Sequence, residues 1–314
     1  MRALAAIKFI VNYSIMSTPT APLQALRNVR ILSLALNLPG PAALLRCAQM
    51  GAQCTKLEPL ASENSASADP MSWYSPQAYA ALHPGLRVLQ AQLKTEAGQA
   101  MLHAELAQTD VLLTSFRPSA LAKLGLDWPL LQARYPRLSL VRIVGACGPR
   151  ADEAGHDLTY LAEAGLLPGT DLPPTLYADM GGSLMASEAV LQALLARAQD
   201  GRGVCIEVGL AEAAQWLALP HAWGLTQPSS DIGGAHAGYR VYPCADGRVA
   251  VAALEPHFAA RLCLAAKLED TTGDAAVLRT PATHAAIADF LRDQTRAQLD
   301  ALAADKDIPL FTLA

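Results

Sequence analysis

The hydrophobic positions of the chain alternate between short continuous apolar runs and stretches with helical spacing. Residues 29–34 form one such run, which is typical of a buried strand. Pro39 and Pro41 then begin a helix that is predicted to run to about Met50, where Gly51 ends it. A second strand is predicted at 53–57. This strand–helix–strand order predicts parallel strands joined by a right-handed crossover.

The same alternation continues for another 150 residues or so. It predicts a large α/β domain with a Rossmann-like open parallel sheet over residues 28–220, preceded by a peripheral extension at 1–27. Residues 59–80 are rich in Ser, Ala, Asn and Pro, which predicts a long irregular connection. Further strands are predicted at 86–93, 110–116, 138–144 and 204–208, and helices at 96–107, 119–124, 129–135, from 158, and at 182–198.

A different pattern follows in residues 221–314. Apolar alternation at 239–244 and 248–253 flanks the sequence Ala245-Asp246-Gly247, and Asp-Gly in such a turn is typical of a β-hairpin. Helices are predicted to begin at about 256, 282 and 296. This order favours a second, smaller α+β domain.

Composition narrows the function classes. The 314 residues are 52% hydrophobic and 17% charged with a net charge of −4, which excludes a disordered chain and gives no basic surface for nucleic acid. The six cysteines form no C-x-x-C pair and no zinc-site spacing, so we expect a reduced, cytoplasmic protein without a metal site. No apolar run reaches the roughly 18 residues of a membrane span. Met16 offers an alternative start to Met1.

The turn after the first strand carries no nucleotide fingerprint. It reads Asn37-Leu38-Pro39-Gly40-Pro41 rather than G-x-G-x-x-G, and no Walker A sequence occurs. NAD and ATP are therefore not expected as cofactors.

Polar residues whose side chains are suited to catalysis lie at three places in the sequence. Gly155-His156-Asp157 follows a predicted strand by a short loop, and the carboxyl ends of parallel strands are the usual position of a site. Asp179 precedes the long helix, and Glu255 lies between a strand and a helix. Each carboxylate also has a structural interpretation, as a helix N-cap or a first-turn acid. The residues alone leave both interpretations open.

Residues 28–314 resemble the family III CoA transferases, the CaiB/BaiF group. Three segments carry the resemblance in the family's order: AGHDLTYL at 154–161, ADMGG at 178–182, and YPCADG at 242–247 followed by LEPHF at 254–258. The Gly-His-Asp sequence resembles the family's racemases, whereas its transferases usually carry an aromatic residue before their nucleophilic aspartate.

The resemblance implies a family III fold, an interlocked homodimer and an acyl-CoA thioester substrate. It implies epimerisation of a 2-methyl-branched acyl-CoA by 1,1-proton transfer through an enolate, with no cofactor besides the substrate's coenzyme A. His156 is then one base, oriented by Glu255, and Asp179 is the other; the backbone N–H of Asp157 meets the enolate oxygen. The residues expected to contact the CoA substrate are Lys56, Arg87, Lys94, Arg117, Gly155 and Tyr160.

Two alternatives remain open. In the first, the protein is a CoA transferase whose Asp157 carboxylate attacks the thioester. In the second, it is a catalytically weak acyl-CoA-binding member. The second rests on departures from the family pattern: a contracted glycine loop at 145–149, fewer basic residues near 83–87, and a small domain that stops at Ala314, short of the family's return segment.

Overall fold

A computed structural model describes residues 23–62 and 65–314, so most of the predicted extension at 1–27 lies outside the described residues. The chain divides into two compact units. The first ends at Ala214 and the second comprises Gln215–Ala314, whereas the predicted domain boundary followed residue 220.

The first unit alternates strands and helices as the sequence predicts. Its elements are β1 (Arg30–Ser33), α1 (Pro39–Gln49), β2 (Gln53–Glu58), α2 (Met71–Tyr74), α3 (Pro76–Leu82), β3 (Arg87–Gln90), α4 (Glu96–Leu106), β4 (Val111–Thr114), α5 (Pro118–Lys123), α6 (Trp128–Arg134), β5 (Ser139–Val144), α7 (Asp157–Glu163), α8 (Tyr177–Asp200), β6 (Cys205–Gly209) and α9 (Leu210–Leu217), whose last turn enters the second unit.

The strands form one parallel six-stranded sheet in the order β3-β2-β1-β4-β5-β6. This confirms the predicted Rossmann-like open sheet. The strands β2 and β3 are added on one side of β1, and β4, β5 and β6 on the other, so the strand order reverses between β1 and β4. A crevice forms at such a reversal, outside the carboxyl ends of the strands.

Both faces of the sheet are buried, which explains the continuous apolar runs of its strands. Ile31 of β1 points into the core on one face and Leu32 into the core on the other. Leu26 is also buried in the first of these cores, although the sequence placed it in the peripheral extension. The ordered core therefore begins before residue 28.

The prediction of an irregular connection at 59–80 was wrong for its second half. Two short helices, α2 and α3, lie there, and in each a side chain from just before the helix accepts a hydrogen bond from a first-turn N–H. Asp69 accepts a hydrogen bond from the Met71 N–H, and Ser75 accepts one from the Ala78 N–H. The polar composition that suggested a loop is that of helix caps.

The second unit contains the predicted hairpin. A three-stranded antiparallel sheet in the order β7-β8-β9 packs against helices around its own core. Residues 310–313 form β9, a strand that the sequence did not predict. The elements are α10 (Leu219–Ala222), β7 (Tyr239–Cys244), β8 (Gly247–Ala252), α11 (Pro256–Ala265), α12 (Ala275–Leu278), α13 (Pro281–Arg292), α14 (Arg296–Lys306) and β9 (Leu310–Leu313).

Within the described ranges, none of the helices combines the length and apolar character that crossing a membrane requires.

Candidate active site

A cavity of about 180 Å³ lies at the carboxyl edge of the parallel sheet. Its walls come from the segments that follow β1, β4 and β5, represented by Asn37, Ser115 and Gly145. It therefore occupies the reversal point between β1 and β4 where ligands of open α/β sheets bind. His156 and Asp179, the two bases expected from the resemblance, both line it.

The His156 side chain is exposed at this cavity. His156 immediately precedes α7, and the Thr159 hydroxyl fixes its backbone: Thr159 Oγ1 accepts from the His156 N–H at 3.1 Å and lies 2.7 Å from the His156 carbonyl oxygen. These bonds hold the histidine at the helix start while its imidazole faces the cavity. An imidazole is the side chain that enzymes most often use as a general acid or base.

Asp157 is the first residue of α7, and its side chain is buried. Its carboxylate accepts a hydrogen bond of 3.0 Å from the backbone N–H of Asp179, the third residue of α8. Asp157 therefore caps a helix that begins 20 residues later in the chain, not its own helix. The N-cap interpretation is wrong for Asp157 and Asp179, because both lie in the first turns of their helices, where the first-turn interpretation places an acid.

Asp179 is half-buried and faces the cavity. Burial, together with the nearby charge of Asp157, raises the pKa of the Asp179 carboxyl to about 7. A carboxyl group with such a pKa is present in both protonation states near neutral pH, so it can accept or donate a proton there. Asp179 has the property that the second base of a two-base reaction needs.

Tyr160 lies against two glycines that border the cavity. A Cβ on Gly145 or on Gly155 would come within 2.5 Å of the Tyr160 hydroxyl. These two positions are glycine because the phenol fills the space a side chain would need. Tyr160 is buried, and both Tyr160 and Gly155 line the cavity. Their contact with substrate stays a prediction.

Carboxylates anchor the contracted loop after β5. Glu212 accepts from the Cys147 N–H at 2.9 Å and Glu207 accepts from the Gly148 N–H at 3.0 Å. Two parallel hydrogen bonds, of 2.7 and 2.9 Å, join Arg150 to Glu163 of α7. Bidentate pairs of this kind fix geometry more firmly than single contacts. The loop is short, but hydrogen bonds tie it and the turn that follows it to β6, α9 and α7.

Three of the basic residues predicted to contact CoA lie at different places. Arg117 is exposed and lines the cavity, immediately before α5. Lys94 is exposed in the turn that follows β3, at the same sheet edge. Arg87 begins β3 and lines a separate cavity of about 510 Å³ at the amino edge of the sheet. Because all the strands are parallel, Arg87 lies at the opposite edge from His156 and cannot share its site.

Lys56 is the clearest departure from the expected CoA contacts. It is 0% exposed, and its ammonium forms ion pairs with the buried carboxylates of Glu58 and Asp69. A lysine that is enclosed and paired in this way cannot reach a phosphate in solvent. The sequence did not indicate this burial because Asp69, one of the two partners, lies in a segment that was predicted to be an irregular connection.

Glu255 belongs to the second unit. It is exposed and occupies the position before α11, where its side chain makes no capping hydrogen bond. Its expected orienting contact with His156 stays a prediction.

The cavity wall also contains polar residues that the sequence did not indicate, among them Asn37 and Glu153. Asn37 lines the cavity with a backbone φ of 71°, in the left-handed region. Glu153 adds a carboxylate from the loop before His156. The position of Asn37 directly after the first strand of a Rossmann-like sheet was a usable signal, because ligand-binding turns occur there.

Comparison with known proteins shows which family the chain belongs to. The model of CoA-transferase family III matches residues 26–313, and the chain belongs to that family. It is 28% identical over 294 residues to human (Homo sapiens) α-methylacyl-CoA racemase, covering 87% of this chain and 74% of that protein. The mouse (Mus musculus) α-methylacyl-CoA racemase is 32% identical over 262 residues, 78% of this chain and 65% of the mouse protein.

Transferases match as well. Succinyl-CoA–D-citramalate CoA-transferase of Chloroflexus aurantiacus is 32% identical over 207 residues, which are 61% of this chain and 50% of that protein. Among solved structures, a CaiB/BaiF family protein from Brucella suis superposes with a TM-score of 0.75 at 23% identity, covering 92% of this chain and 84% of that one. The fold is thus that of the CaiB/BaiF proteins. Both racemases and CoA transferases occur among the relatives.

Proposed function

We propose that this protein epimerises 2-methyl-branched acyl-CoA thioesters by 1,1-proton transfer. The proposal rests on one observation. His156 and Asp179 face the same cavity, and the pKa of Asp179 is raised to about 7. A reaction that removes a proton from one face of a carbon and returns one to the other face needs two such groups.

These two side chains account for both proton transfers of the reaction. In one direction the neutral imidazole of His156 takes the α-proton, and the C–H electron pair becomes that of an enolate. The protonated Asp179 carboxyl then donates its proton to the opposite face of the same carbon. In the reverse direction the Asp179 carboxylate takes the proton and the His156 imidazolium gives one back. Each turnover leaves the pair with its proton transferred from one base to the other.

The enolate oxygen needs hydrogen-bond donors in this scheme. The first N–H groups of a helix have no partners inside the helix, and Asp157 supplies the first N–H of α7 beside His156. Donors that are already oriented at the developing charge stabilise it at little reorganisation cost. Arg117 at the cavity rim supplies a positive charge for a phosphate of coenzyme A.

The transferase alternative assigns the chemistry to the Asp157 carboxylate. That carboxylate is buried and accepts a hydrogen bond from the Asp179 N–H. Among the described residues, Asp157 is not one of those that line the cavity. A nucleophilic role would require Asp157 to break this hydrogen bond and turn outward. The transferases among the relatives keep this as the second candidate.

One experiment separates the two candidates. The protein is incubated with (2R)- and (2S)-2-methyldecanoyl-CoA in heavy water, and α-deuterium and chirality are followed together. We expect deuterium incorporation from both enantiomers and convergence to one mixture. Binding without exchange, followed by CoA transfer to an added carboxylic acid, would establish the transferase. Binding with neither reaction would establish a catalytically weak family member.

Two accompanying proposals have direct tests. We infer a homodimer, to be measured by light scattering on the eluted protein. We also infer that catalysis needs no cofactor besides the substrate's own coenzyme A. Exchange that survives extensive dialysis against a chelator supports this, and activity restored only by an added metal or cofactor contradicts it.

A further inference from the structure

A buried group of charged side chains lies next to the wall of the candidate active site. Lys56, Glu58 and Asp69 are all 0% exposed. The Lys56 ammonium pairs with Asp69 and, at 2.8 Å, with Glu58. Its third contact is Nε2 of His83 at 2.9 Å. We call these four residues the lysine cluster.

The hydrogen bonds of His83 fix its role in the cluster. Its Nδ1 lies 2.6 Å from the Tyr79 carbonyl oxygen, which can only accept, so Nδ1 carries the proton. Nε2 then accepts from the Lys56 ammonium. Burial lowers the pKa of His83, and the Lys56 charge adds to this effect. Glu58, Asp69 and His83 have the spacing of a metal site, but the ammonium already supplies the cation they surround.

Asp69 differs from the rest of the lysine cluster because it also reaches the active site. Its Oδ1 accepts from the backbone N–H of Asn37 at 3.0 Å, while Oδ2 binds the ammonium. Asn37 lines the cavity with its left-handed φ of 71°. Asparagine adopts that conformation more readily than most residues with a Cβ, but glycine adopts it more readily still, so a hydrogen bond from a neighbouring group helps to hold it.

We propose that Asp69 is a positioning residue for the candidate active site. Its carboxylate holds the turn between β1 and α1 in the shape that forms one cavity wall, and Lys56 holds the carboxylate in place. The inference rests on the proposed acyl-CoA site, since it assigns the turn a part in binding that substrate. It predicts that loss of Asp69 disturbs this wall more than loss of any equally buried neighbour.

Glu58 provides the matched control. It is as buried as Asp69 and binds the same ammonium, but its other partners are the hydroxyls of Ser67 at 2.5 Å and Tyr79 at 2.9 Å. Glu58 makes no hydrogen bond to the β1–α1 turn in the described part of the chain. Asp69→Ala and Glu58→Ala thus both break the lysine cluster, and only the first frees Asn37.

Amide hydrogen exchange followed by mass spectrometry tests, without any substrate, whether Asp69 holds the β1–α1 turn. Pro39 and Pro41 have no amide, so a peptide over 34–41 reports chiefly on the turn. We expect Asp69→Ala to speed exchange in that peptide at least about tenfold, and Glu58→Ala to change it less than about threefold. Equal acceleration in both variants, or none in Asp69→Ala, overturns the inference. If Asp69→Ala does not fold, Lys56→Met/Asp69→Ala replaces it, with the same expectation.

Kinetics test the functional half. We expect Asp69→Ala to raise KM for 2-methyldecanoyl-CoA about tenfold with a smaller change in kcat, and Asn37→Gly to restore KM in the double variant because glycine adopts the left-handed conformation unaided. The reference for the double variant is Asn37→Gly alone. Persistence of the high KM in the double variant contradicts a positioning role. If wild type catalyses no α-proton exchange, the proposed function fails, while the amide-exchange result still decides whether Asp69 holds the turn.

Discussion

The carboxylate of Asp157 accepts a 3.0 Å hydrogen bond from the backbone N–H of Asp179. This bond joins the starts of α7 and α8, and it places two acidic side chains near each other with different tasks. Asp157 is buried and caps a helix, whereas Asp179 faces the cavity. The charge of the first helps to raise the pKa of the second. Two adjacent carboxyl groups thereby acquire separate roles, as acid–base pairs in enzymes commonly do.

Conservative replacement of Asp157 distinguishes the two candidate reactions. Asp157→Asn keeps an oxygen that can accept from the Asp179 N–H, and it keeps the backbone N–H at the start of α7. We therefore expect α-proton exchange to fall by less than about tenfold, because the substitution keeps both the acceptor for the α8 N–H and the backbone N–H of α7. CoA transfer, which needs the carboxylate as nucleophile, would be abolished. Exchange and transfer are measured on the same preparation, and loss of exchange by 10³-fold or so would contradict the proposed roles.

Removal of either base is expected to affect one face of the α-carbon. His156→Ala should abolish proton removal from one enantiomer, and Asp179→Asn from the other, each by about 10² to 10⁴-fold. The measurement is single-turnover loss of α-deuterium from each labelled enantiomer separately. Binding of the CoA ester should stay within a few fold. Retention of the wild-type rate with both enantiomers in His156→Ala would show that another group is the base.

The raised pKa of Asp179 also predicts a pH-dependent stability. Because folding raises this pKa from 3.8 to about 7, the folded protein binds the proton more tightly than the unfolded chain. The favourable contribution is therefore fully present below about pH 4 and is lost as pH rises through 7. Relative to wild type, Asp179→Asn should be unchanged in unfolding free energy near pH 4 and more stable by about 1 to 4 kcal/mol at pH 8.

Denaturant titration at several pH values measures this difference. The exposed Asp171, replaced by Asn, is the control and should give the same small difference at every pH. A gain for Asp179→Asn that does not grow between pH 4 and pH 8 would contradict burial of a charged carboxylate at this position.

Much of the fold follows from local pattern. The strands β1, β4 and β5 were predictable because a parallel sheet buries both faces, which makes their apolar runs continuous. The start of α8 was not predictable, since the carboxylate that caps it is Asp157 of another helix. The burial of Lys56 was hidden for a similar reason: its partner Asp69 lies in a segment whose composition suggested a loop. Patterns report local preference, and these contacts are not local.

The candidate site also contains some residues that the sequence revealed and some that it did not. His156 and Asp179 were found from their motifs and do line one cavity. Asn37 was missed as a wall residue because its role depends on a left-handed backbone and a distant carboxylate. Arg87 was expected to contact CoA, but it begins β3 and lines a cavity at the amino edge of the sheet, away from His156.

The close packing of Tyr160 against two glycines gives a prediction on stability. Gly145→Ala should destabilise the protein by about 1 to 3 kcal/mol, because its Cβ would lie 2.5 Å from the Tyr160 hydroxyl but 3.3 Å from the ring carbon Cζ. Tyr160→Phe removes the hydroxyl and should recover most of that loss. Gly155→Ala should be recovered less, since its Cβ would also lie 2.6 Å from the ring carbon Cε1.

Denaturant unfolding of the single and double variants checks this, with Tyr160→Phe alone as the reference. Equal recovery at both glycines would mean that the ring moves aside, which the structure does not predict. Recovery at neither glycine would show that the hydroxyl is not what excludes a side chain at position 145.

Arg117 and Arg87, at opposite edges of the sheet, are expected to differ in their effect on substrate binding. Arg117 lines the site cavity, and Arg87 lines the cavity at the amino edge, where it pairs with Glu105. Because a charge-assisted phosphate contact is worth about 1.5 to 3 kcal/mol, Arg117→Ala should raise KM for acyl-CoA about tenfold or more and weaken its salt dependence. Arg87→Ala should leave both unchanged. Steady-state exchange kinetics of both variants, measured from about 20 to about 300 mM salt, test this prediction. A rise in KM confined to Arg87→Ala would place the CoA phosphates at the amino edge of the sheet.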